Sequence, residues 1–372
     1  MPLRAIGPLN AVLPVPTGMI QGFMRDPDNL PYQRYCQFIP APGVAFTYYR
    51  IDPDAPSRLP DINDFAWAYD DYAPSGRGFT VRAELIEGRV KRWAFPYQIG
   101  DQTIRSWEQA GLKPEMLFNR LRASHARLHQ AQRAVTALAT ADWGANTGTP
   151  QSVLGTSNPV YFQESSGVER LPSGNPNPNY ASILSTFQAI KRRMHLATNG
   201  AVDGSEMIAV LPPVVATAIA RSGEMREFLK QSQYARDLIN PNVRDWNLPP
   251  EYGGYKLVVE DTVRCFMVEN ADGTVANVAN PAEKDYILNT DTIYFVSRPG
   301  GLDGQYGFQN FSTIQIYQHR ESPRFEARSD PWNNLVEGRF VIEDAILTPA
   351  LIAGFALTGV LSGGQVYVPP AP

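Results

Sequence analysis

Two histidines on one predicted helix have the spacing that a metal site would need. His125 and His129 lie four positions apart in the segment LRASHARLHQAQ, so both imidazoles fall on one helical face, as the paired histidines of zinc hydrolases do. No glutamate lies between them, and a closed zinc site needs four ligands where this segment offers two. We therefore predict no metal site.

The residues around the histidine pair are basic. They are Arg120, Arg122, Arg127 and Arg133. Guanidinium groups oppose a divalent cation by Coulomb repulsion, and they attract carboxylates or phosphates instead. We interpret this segment as the basic face of an amphipathic helix that meets acidic neighbours or phosphate.

Motifs of the common enzyme classes are missing from the sequence. It contains no GxxxxGK[ST], GxSxG or HExxH, and the glycines of GGLDGQYG (300–307) do not fit GxGxxG. Two carboxylate pairs, Asp70 with Asp71 and Glu260 with Asp261, lie in predicted strands, where adjacent side chains point to opposite faces. We expect these carboxylates to be solvated or salt-bridged, and we predict neither catalytic residues nor a cofactor.

Composition describes a folded protein with long irregular segments. Among 372 residues, 43% are hydrophobic and 19% charged, while 32 prolines exceed the usual share of about 5%. The net charge of -4 argues against a dedicated nucleic-acid-binding protein, so that any such contact must be local. Cys36 and Cys265 are the only cysteines and are too few for a disulfide framework or a zinc cluster.

One long helix is predicted from about residue 113 to 141. Apolar and small residues recur at alternating spacings of four and three, and Pro114 stands near the start, where a helix tolerates proline. At 1.5 Å per residue the helix is roughly 40 Å long. The predicted stripe consists of Leu117, Leu121, Ser124, Leu128, Ala131, Val135 and Leu138.

Other segments differ in character along the chain. Residues 1–45 are rich in proline and predict an extended arm without a core of its own. Residues 46–99 alternate like strands, as in FTVRAEL, and predict a long hairpin. After the long helix, a turn-rich connection leads at about residue 179 to a mixed α/β lobe, which contains a helix with Ile183, Phe187, Ile190 and Met194 on one face.

The end of the chain returns to strand-like patterns. FSTIQIYQH and GRFVIEDAILTP alternate, and we expect residues 309–372 to rejoin the first lobe. Residues 345–372 carry no charge, which leaves a membrane anchor or a buried terminal strand or helix as alternatives. Because Pro349, Gly354 and Gly359 interrupt the segment and no basic flank follows, we predict no membrane association.

This order of segments resembles the major capsid proteins of tailed bacteriophages, whose fold is named after phage Hong Kong 97. The resemblance rests on the run from YASILSTFQAIKRRMHLATNG to YGGYKLVVEDTVR and on the closing VEGRFVIEDAILTPALIAGFALTGVL. It implies an α+β fold with five parts: an N-terminal arm (1–45), an E-loop with its flanking strands (46–99), a P-domain with the spine helix (100–178), an A-domain (179–308) and a return to the P-domain (309–372).

The resemblance also implies a function in assembly. Subunits of this family form pentamers and hexamers that close an icosahedral shell around double-stranded DNA. The expected partners are other copies of the chain, packaged DNA through non-specific contacts, and portal, separate scaffolding and decoration proteins. The expected location is the virion, with assembly in the host cytoplasm. An encapsulin-type nanocompartment shares the fold and remains an alternative, as does a metal-dependent hydrolase that uses the two histidines.

Candidate contact residues follow from the resemblance and from side-chain chemistry. Aromatic residues on the predicted hairpin are of the kind found at interface hot spots, although packing within the hairpin is an equal alternative for each. These are Tyr48, Tyr49, Trp67, Tyr69, Tyr72 and Trp93. Since the spine helix of this family lies toward the shell interior, Arg120, Arg122, Arg127 and Arg133 are candidates for facing the DNA.

Overall fold

A computed structural model describes most of the chain. The described residues are 29–51, 83–109, 114–162, 177–198, 206–231, 245–264, 285–298, 312–319, 322–330 and 335–361, together with the single positions 173, 175, 200 and 202. The helices within these ranges are α1 (Tyr32–Tyr35), α2 (Asp101–Gln109), α3 (Pro114–Thr140), α4 (Pro150–Leu154), α5 (Ile183–Ala197), α6 (Pro213–Arg221) and α7 (Gly223–Gln231).

A six-stranded sheet forms the centre of the second lobe. Its strand order is β5 (Thr147–Gly148), β15 (Phe355–Leu357), β11 (Ile293–Ser297), β6 (Met207–Leu211), β8 (Tyr255–Val259) and β7 (Glu251–Tyr252). One face of the sheet packs against the apolar side of α5, where Ile183, Phe187, Ile190 and Met194 are all buried. The predicted face of this helix is therefore confirmed.

A second, five-stranded sheet lies in the first lobe. Its central strand β14 (Leu335–Leu347) pairs with β4 (Lys91–Gly100) along one side and with β13 (Arg324–Asp330) and β12 (Gln315–His319) along the other. Strand β1 (Gln37–Ala41) extends the sheet in parallel with β12. Two smaller pairs complete the strands of the described residues: β2 (Ala45–Ile51) with β3 (Ala83–Arg89), and β9 (Val263–Arg264) with β10 (Asp285–Tyr286).

The long helix α3 agrees with its predicted bounds but not with its predicted burial. Ala131, Val135 and Leu138 are buried, in a core that also contains Val210 and Val296 of the six-stranded sheet. The members of the stripe before Ala131 are only half-buried in this chain: Leu117, Leu121, Ser124 and Leu128. The continuous buried stripe is thus realised only in the second half of the helix.

The described part of the N-terminal segment packs against the rest of the chain. Leu30, Tyr32, Tyr35 and Cys36 are buried in the core shared with α3, and β1 is a strand of the five-stranded sheet. Residues 30–41 thus lie along the rest of the chain and share its core, and the boundary of the arm at residue 45 stays a prediction. The prediction for residues 1–28 concerns positions outside the described part of the chain.

Two strands belong to a different lobe from the one that the sequence predicted. Phe355–Leu357 was expected to return to the first lobe, yet β15 pairs with β11 of the six-stranded sheet. Thr147–Gly148 pairs with β15 from its other side. The uncharged terminal segment thus contains a buried strand, and among the described residues no helix is long and apolar enough to cross a membrane.

Aromatic rings lie across glycines on two pairs of neighbouring strands. Tyr97 of β4 stands opposite Gly338 of β14, and a Cβ added at Gly338 would overlap the Tyr97 ring carbon Cζ. In the same way, the ring of Phe46 on β2 covers Gly88 of β3, and a Cβ added at Gly88 would overlap the Phe46 ring carbon Cζ. The Tyr97 hydroxyl also donates a hydrogen bond to Asn119 of α3 at 2.8 Å, so the ring connects the sheet to the long helix.

Glu260, which follows β8, is fully buried, contrary to the expectation of a solvated or salt-bridged carboxylate. The Tyr35 hydroxyl donates to its Oε2 at 2.9 Å, and the Thr262 hydroxyl donates to its Oε1. Burial raises the pKa of this carboxyl to about 7, even though both hydrogen bonds oppose the rise. Because Tyr35 belongs to α1, Glu260 links the N-terminal segment to the six-stranded sheet.

The contact between Tyr97 and Gly338 predicts a stability loss on adding one methyl group. We expect Gly338→Ala to lower the free energy of unfolding by about 1 to 3 kcal/mol, because the ring must move and its bond to Asn119 lengthen. Urea denaturation measures the change. Gly100→Ala, on the same sheet, is the control, since its added Cβ meets only Thr103 Oγ1 at 3.8 Å. Equal stabilities of the two variants would contradict this account.

The raised pKa of Glu260 predicts a pH-dependent stability. In the folded chain this carboxyl stays protonated up to about pH 7, whereas its ordinary pKa is 4.5, so the unfolded state ionises first. The free energy of unfolding should therefore fall as the pH rises between these values, by on the order of 3 kcal/mol. Urea titrations at about pH 5 and about pH 8 measure the fall.

Glu260→Gln should remove this dependence, since the amide keeps the shape of the side chain and cannot ionise. The matched control is Glu251→Gln at an exposed position, which should follow the parent protein. A Glu260→Gln variant with the parent's pH dependence would show that another group is responsible.

Candidate functional site

The histidine-bearing face of α3 packs against the sheet strands β4 and β14. The imidazole of His129 lies 4.7 Å from the ring centre of Trp93 and 5.6 Å from that of Phe95, both on β4. Burial lowers the pKa of His129, and the nearby Arg133 lowers it further, while Asp344 opposes this. His129 is therefore a neutral side chain within an aromatic contact.

His125 lies one turn away and is exposed. Its Nδ1 is 3.3 Å from a guanidinium nitrogen of Arg122. Partial burial lowers the pKa of His125, and Arg122 lowers it further. Among the described residues, no group of three histidine, cysteine, aspartate or glutamate side chains is placed to hold a metal ion. Within the part of the chain that the structure describes, neither histidine therefore has a third ligand beside it.

A buried hydrogen-bond network joins α3 to β14 on the same face. Asp344 is fully buried, and Arg133 Nη2 donates to both of its carboxylate oxygens at 2.8 Å. Gln130 Nε2 donates to Asp344 at 2.5 Å, while the Tyr32 hydroxyl and Arg127 donate to Gln130 Oε1 at 2.7 and 3.0 Å. The guanidinium of Arg133 also lies 4.6 Å from the ring centre of Trp93, a cation–π contact.

This network separates the four arginines that the sequence grouped together. Arg133 bonds Asp344 and holds α3 against β14, whereas Arg127 bonds Gln130 of its own helix. Arg120 is exposed, and Arg122 is half-buried beside His125. The charge of Arg133 is paired with a buried carboxylate, and whether any of the four faces nucleic acid stays a prediction.

The opposite face of the sheet carries a second charged network that the sequence did not reveal. Arg92 and Arg339 bond Glu326, which lies on the neighbouring edge strand β13. Arg324 donates to Glu326 and to Glu343 at 2.8 Å each, and its hydrogen bonds lower the pKa of both carboxyls. Alternation along β4 and β14 places these ions on the side away from α3.

The aromatic contact candidates fall into three groups. Tyr48 and Tyr49 lie in β2, paired with Ile86 and Leu85 of β3. Trp93 is half-buried and packs within its own chain against His129 and Arg133, so the alternative of internal packing applies to it. Trp67, Tyr69 and Tyr72 lie outside the described residues.

The sequence of this chain matches no protein-family model and no curated protein. Its structure, however, is similar to solved phage structures over almost its whole length. The capsid of cyanophage P-SCSP1u matches with a TM-score of 0.50 at 9% identity, covering 91% of this chain and 90% of that chain.

Two further structures match over similar lengths. A phage-related protein from Bordetella bronchiseptica has a TM-score of 0.48 at 9% identity over 91% of this chain and 94% of its own. The capsid of a native GTA particle has a TM-score of 0.47 at 13% identity, over 93% and 95% of the two chains. At these identities the likeness concerns the fold.

The match to the cyanophage capsid extends over nine tenths of this chain. The mixed helix and strand architecture predicted from the order of segments is therefore confirmed, and the chain has the fold of a phage capsid subunit.

Proposed function

We propose that this chain is the major capsid protein of a tailed phage. In this proposal, copies of the chain form pentamers and hexamers that close an icosahedral head around double-stranded DNA. The observation that supports it best is the capsid fold, shared with the cyanophage structure over 91% of the chain. A site for catalysis plays no part in it, and the function is structural.

The ribbon of β2 and β3 supports an assembly function. A two-stranded ribbon is marginally stable in water when it stands alone. Here its edges carry no further strand in the described residues, and Val44 and Leu85 are 56% and 51% exposed. We infer that a neighbouring subunit covers this ribbon, with Tyr48 and Tyr49 among the contacts.

The first half of α3 offers a second surface for a neighbour. Met116 is 64% exposed, and Leu117 and Leu121 are only half-buried. Apolar side chains at this spacing are normally buried, whereas the described part of the chain covers these only in part. In a shell, repeated contacts of this kind add up, so that modest single interfaces hold many subunits together.

The proposal fixes the expected partners and location. The partners are other copies of the chain, packaged DNA bound without sequence specificity, and portal, scaffolding and decoration proteins. The location is the virion, after assembly in the host cytoplasm. The four arginines of α3 remain candidates for contacting DNA, and Arg120 and Arg122 are the two that take no part in the buried network with Gln130 and Asp344.

Electron microscopy of the purified full chain tests the proposal. We expect closed shells or capsomers of uniform size. Shells that contain protein cargo would favour an encapsulin-type compartment instead, and a discrete small oligomer with about one bound zinc per chain would favour the hydrolase. Tyr48→Ala with Tyr49→Ala should prevent shells while leaving the thermal unfolding of the subunit intact. Thr47→Ala, at an exposed position of the same strand, is the matched control.

The histidine pair allows a second prediction. We expect His125→Gln with His129→Gln to assemble nearly as the parent does, since neither imidazole bonds a carboxylate or shares a ligand set. Asp344→Ala should instead lower the free energy of unfolding by about 3 kcal/mol, because it leaves the Arg133 charge unpaired. Urea denaturation and microscopy measure the two effects. Loss of assembly in the histidine variant, together with zinc-dependent assembly of the parent, would contradict this view.

A further inference from the structure

A groove of about 680 Å³ lies between the second half of α3 and the ends of β4 and β14. Its strand side includes Lys91 and Trp93, with Arg89 just before β4, and its helix side includes Gln132 and Arg133. Asp344 pairs with Lys91 across the two strands, so both side chains lie on the face toward α3. The groove is thus lined by charged residues on both sides.

The charges in this groove do not balance. Arg89, Lys91 and Arg133 contribute three positive charges, and Asp344 contributes the only carboxylate among the lining residues, leaving an excess of two. Both oxygens of Asp344 already accept bonds from Arg133 and Gln130. Arg89 and Lys91 are exposed, and neither forms an ion pair within the described part of the chain.

The wall of the groove also contains donors without acceptors. Trp93 Nε1 and Arg133 Nε are buried N–H donors that have no hydrogen-bond partner. A buried donor without an acceptor destabilises the fold, because it has lost its hydrogen bond to water. These two donors belong to side chains in contact with each other, below a mouth with two cations, and they indicate that the acceptor arrives with a ligand.

We propose that this groove binds a phosphate group, held by Lys91 and Arg89 at the mouth and by Arg133 at the wall. A phosphate offers several oxygens to donors that converge from a helix and a strand, and its negative charge offsets the excess positive charge. The phosphate comes either from the backbone of DNA or from free phosphate in solution. The DNA source rests on the proposed capsid function, whereas phosphate binding itself does not.

The site differs from the basic helix face that the sequence predicted. Two of its three cations stand at the junction of β3 and β4, and the third is the one arginine of the helix that is anchored by a buried carboxylate. An anchored guanidinium loses less conformational freedom on binding than an exposed one. The position of Arg133 is therefore suited to recognising an anion that the two exposed cations attract.

Calorimetric titration of the purified full chain with sodium phosphate, and separately with a short DNA duplex, tests the site. Sodium chloride at equal ionic strength is the reference. We expect Lys91→Gln and Arg89→Gln each to weaken phosphate binding about fivefold or more. The matched controls are Lys256→Gln and Arg192→Gln, exposed residues of the second lobe, which should bind as the parent does. Thermal unfolding shows that each variant is folded.

The duplex titration separates the two sources of phosphate. If the groove variants also weaken duplex binding, and if the slope of the logarithm of the binding constant against the logarithm of salt concentration becomes less steep by about one, the phosphate belongs to DNA. If duplex binding is unchanged while phosphate binding falls, the ligand is free phosphate. Absence of phosphate binding, or equal losses in the control variants, would overturn the proposal. Microscopy of the same samples reports shell formation separately, so a failure of the capsid function is distinguishable from a failure of the site.

Discussion

The structure depends on burying the second half of helix α3 between two sheets at once. Ala126, Ala131 and Ala134 have no exposed surface, so the backbone of the helix can approach its neighbours closely. One side meets the core shared with the six-stranded sheet, and another side meets β14 and β4. Both sheets contribute to the core that the helix completes, since Ile316 of β12 and Val210 of β6 lie in the same buried cluster as Leu138.

Local patterns predicted the elements that bury one face along a continuous segment. Helix α3 and the buried face of α5 follow from apolar spacing. Pairing between distant segments could not be predicted in this way. Phe355 pairs with Phe295, and Gln37 with Gln315, and no local period shows which partner a buried strand selects.

In the candidate site, too, the sequence predicted the local arrangement but not the partners from distant segments. The spacing in the sequence predicted that His125 and His129 share one helical face with arginines around them. Trp93 and Asp344, which decide what that face does, come from segments far along the chain. Glu260 is a second example of a contact that local sequence does not predict. A carboxylate beside Asp261 is expected to be solvated, but Tyr35 of the N-terminal segment packs against it and donates a hydrogen bond.

The pairing of β4 with β14 has a mechanical consequence. The two strands run antiparallel through ten consecutive residue pairs, and β4 follows the β2 and β3 ribbon after a single residue, Val90. A pull on the ribbon along the strand direction therefore loads the hydrogen bonds of that pairing in shear, all together instead of one after another. Tyr97, seated over Gly338, opposes sliding in the same direction. The ribbon is thus attached where the subunit can bear tension.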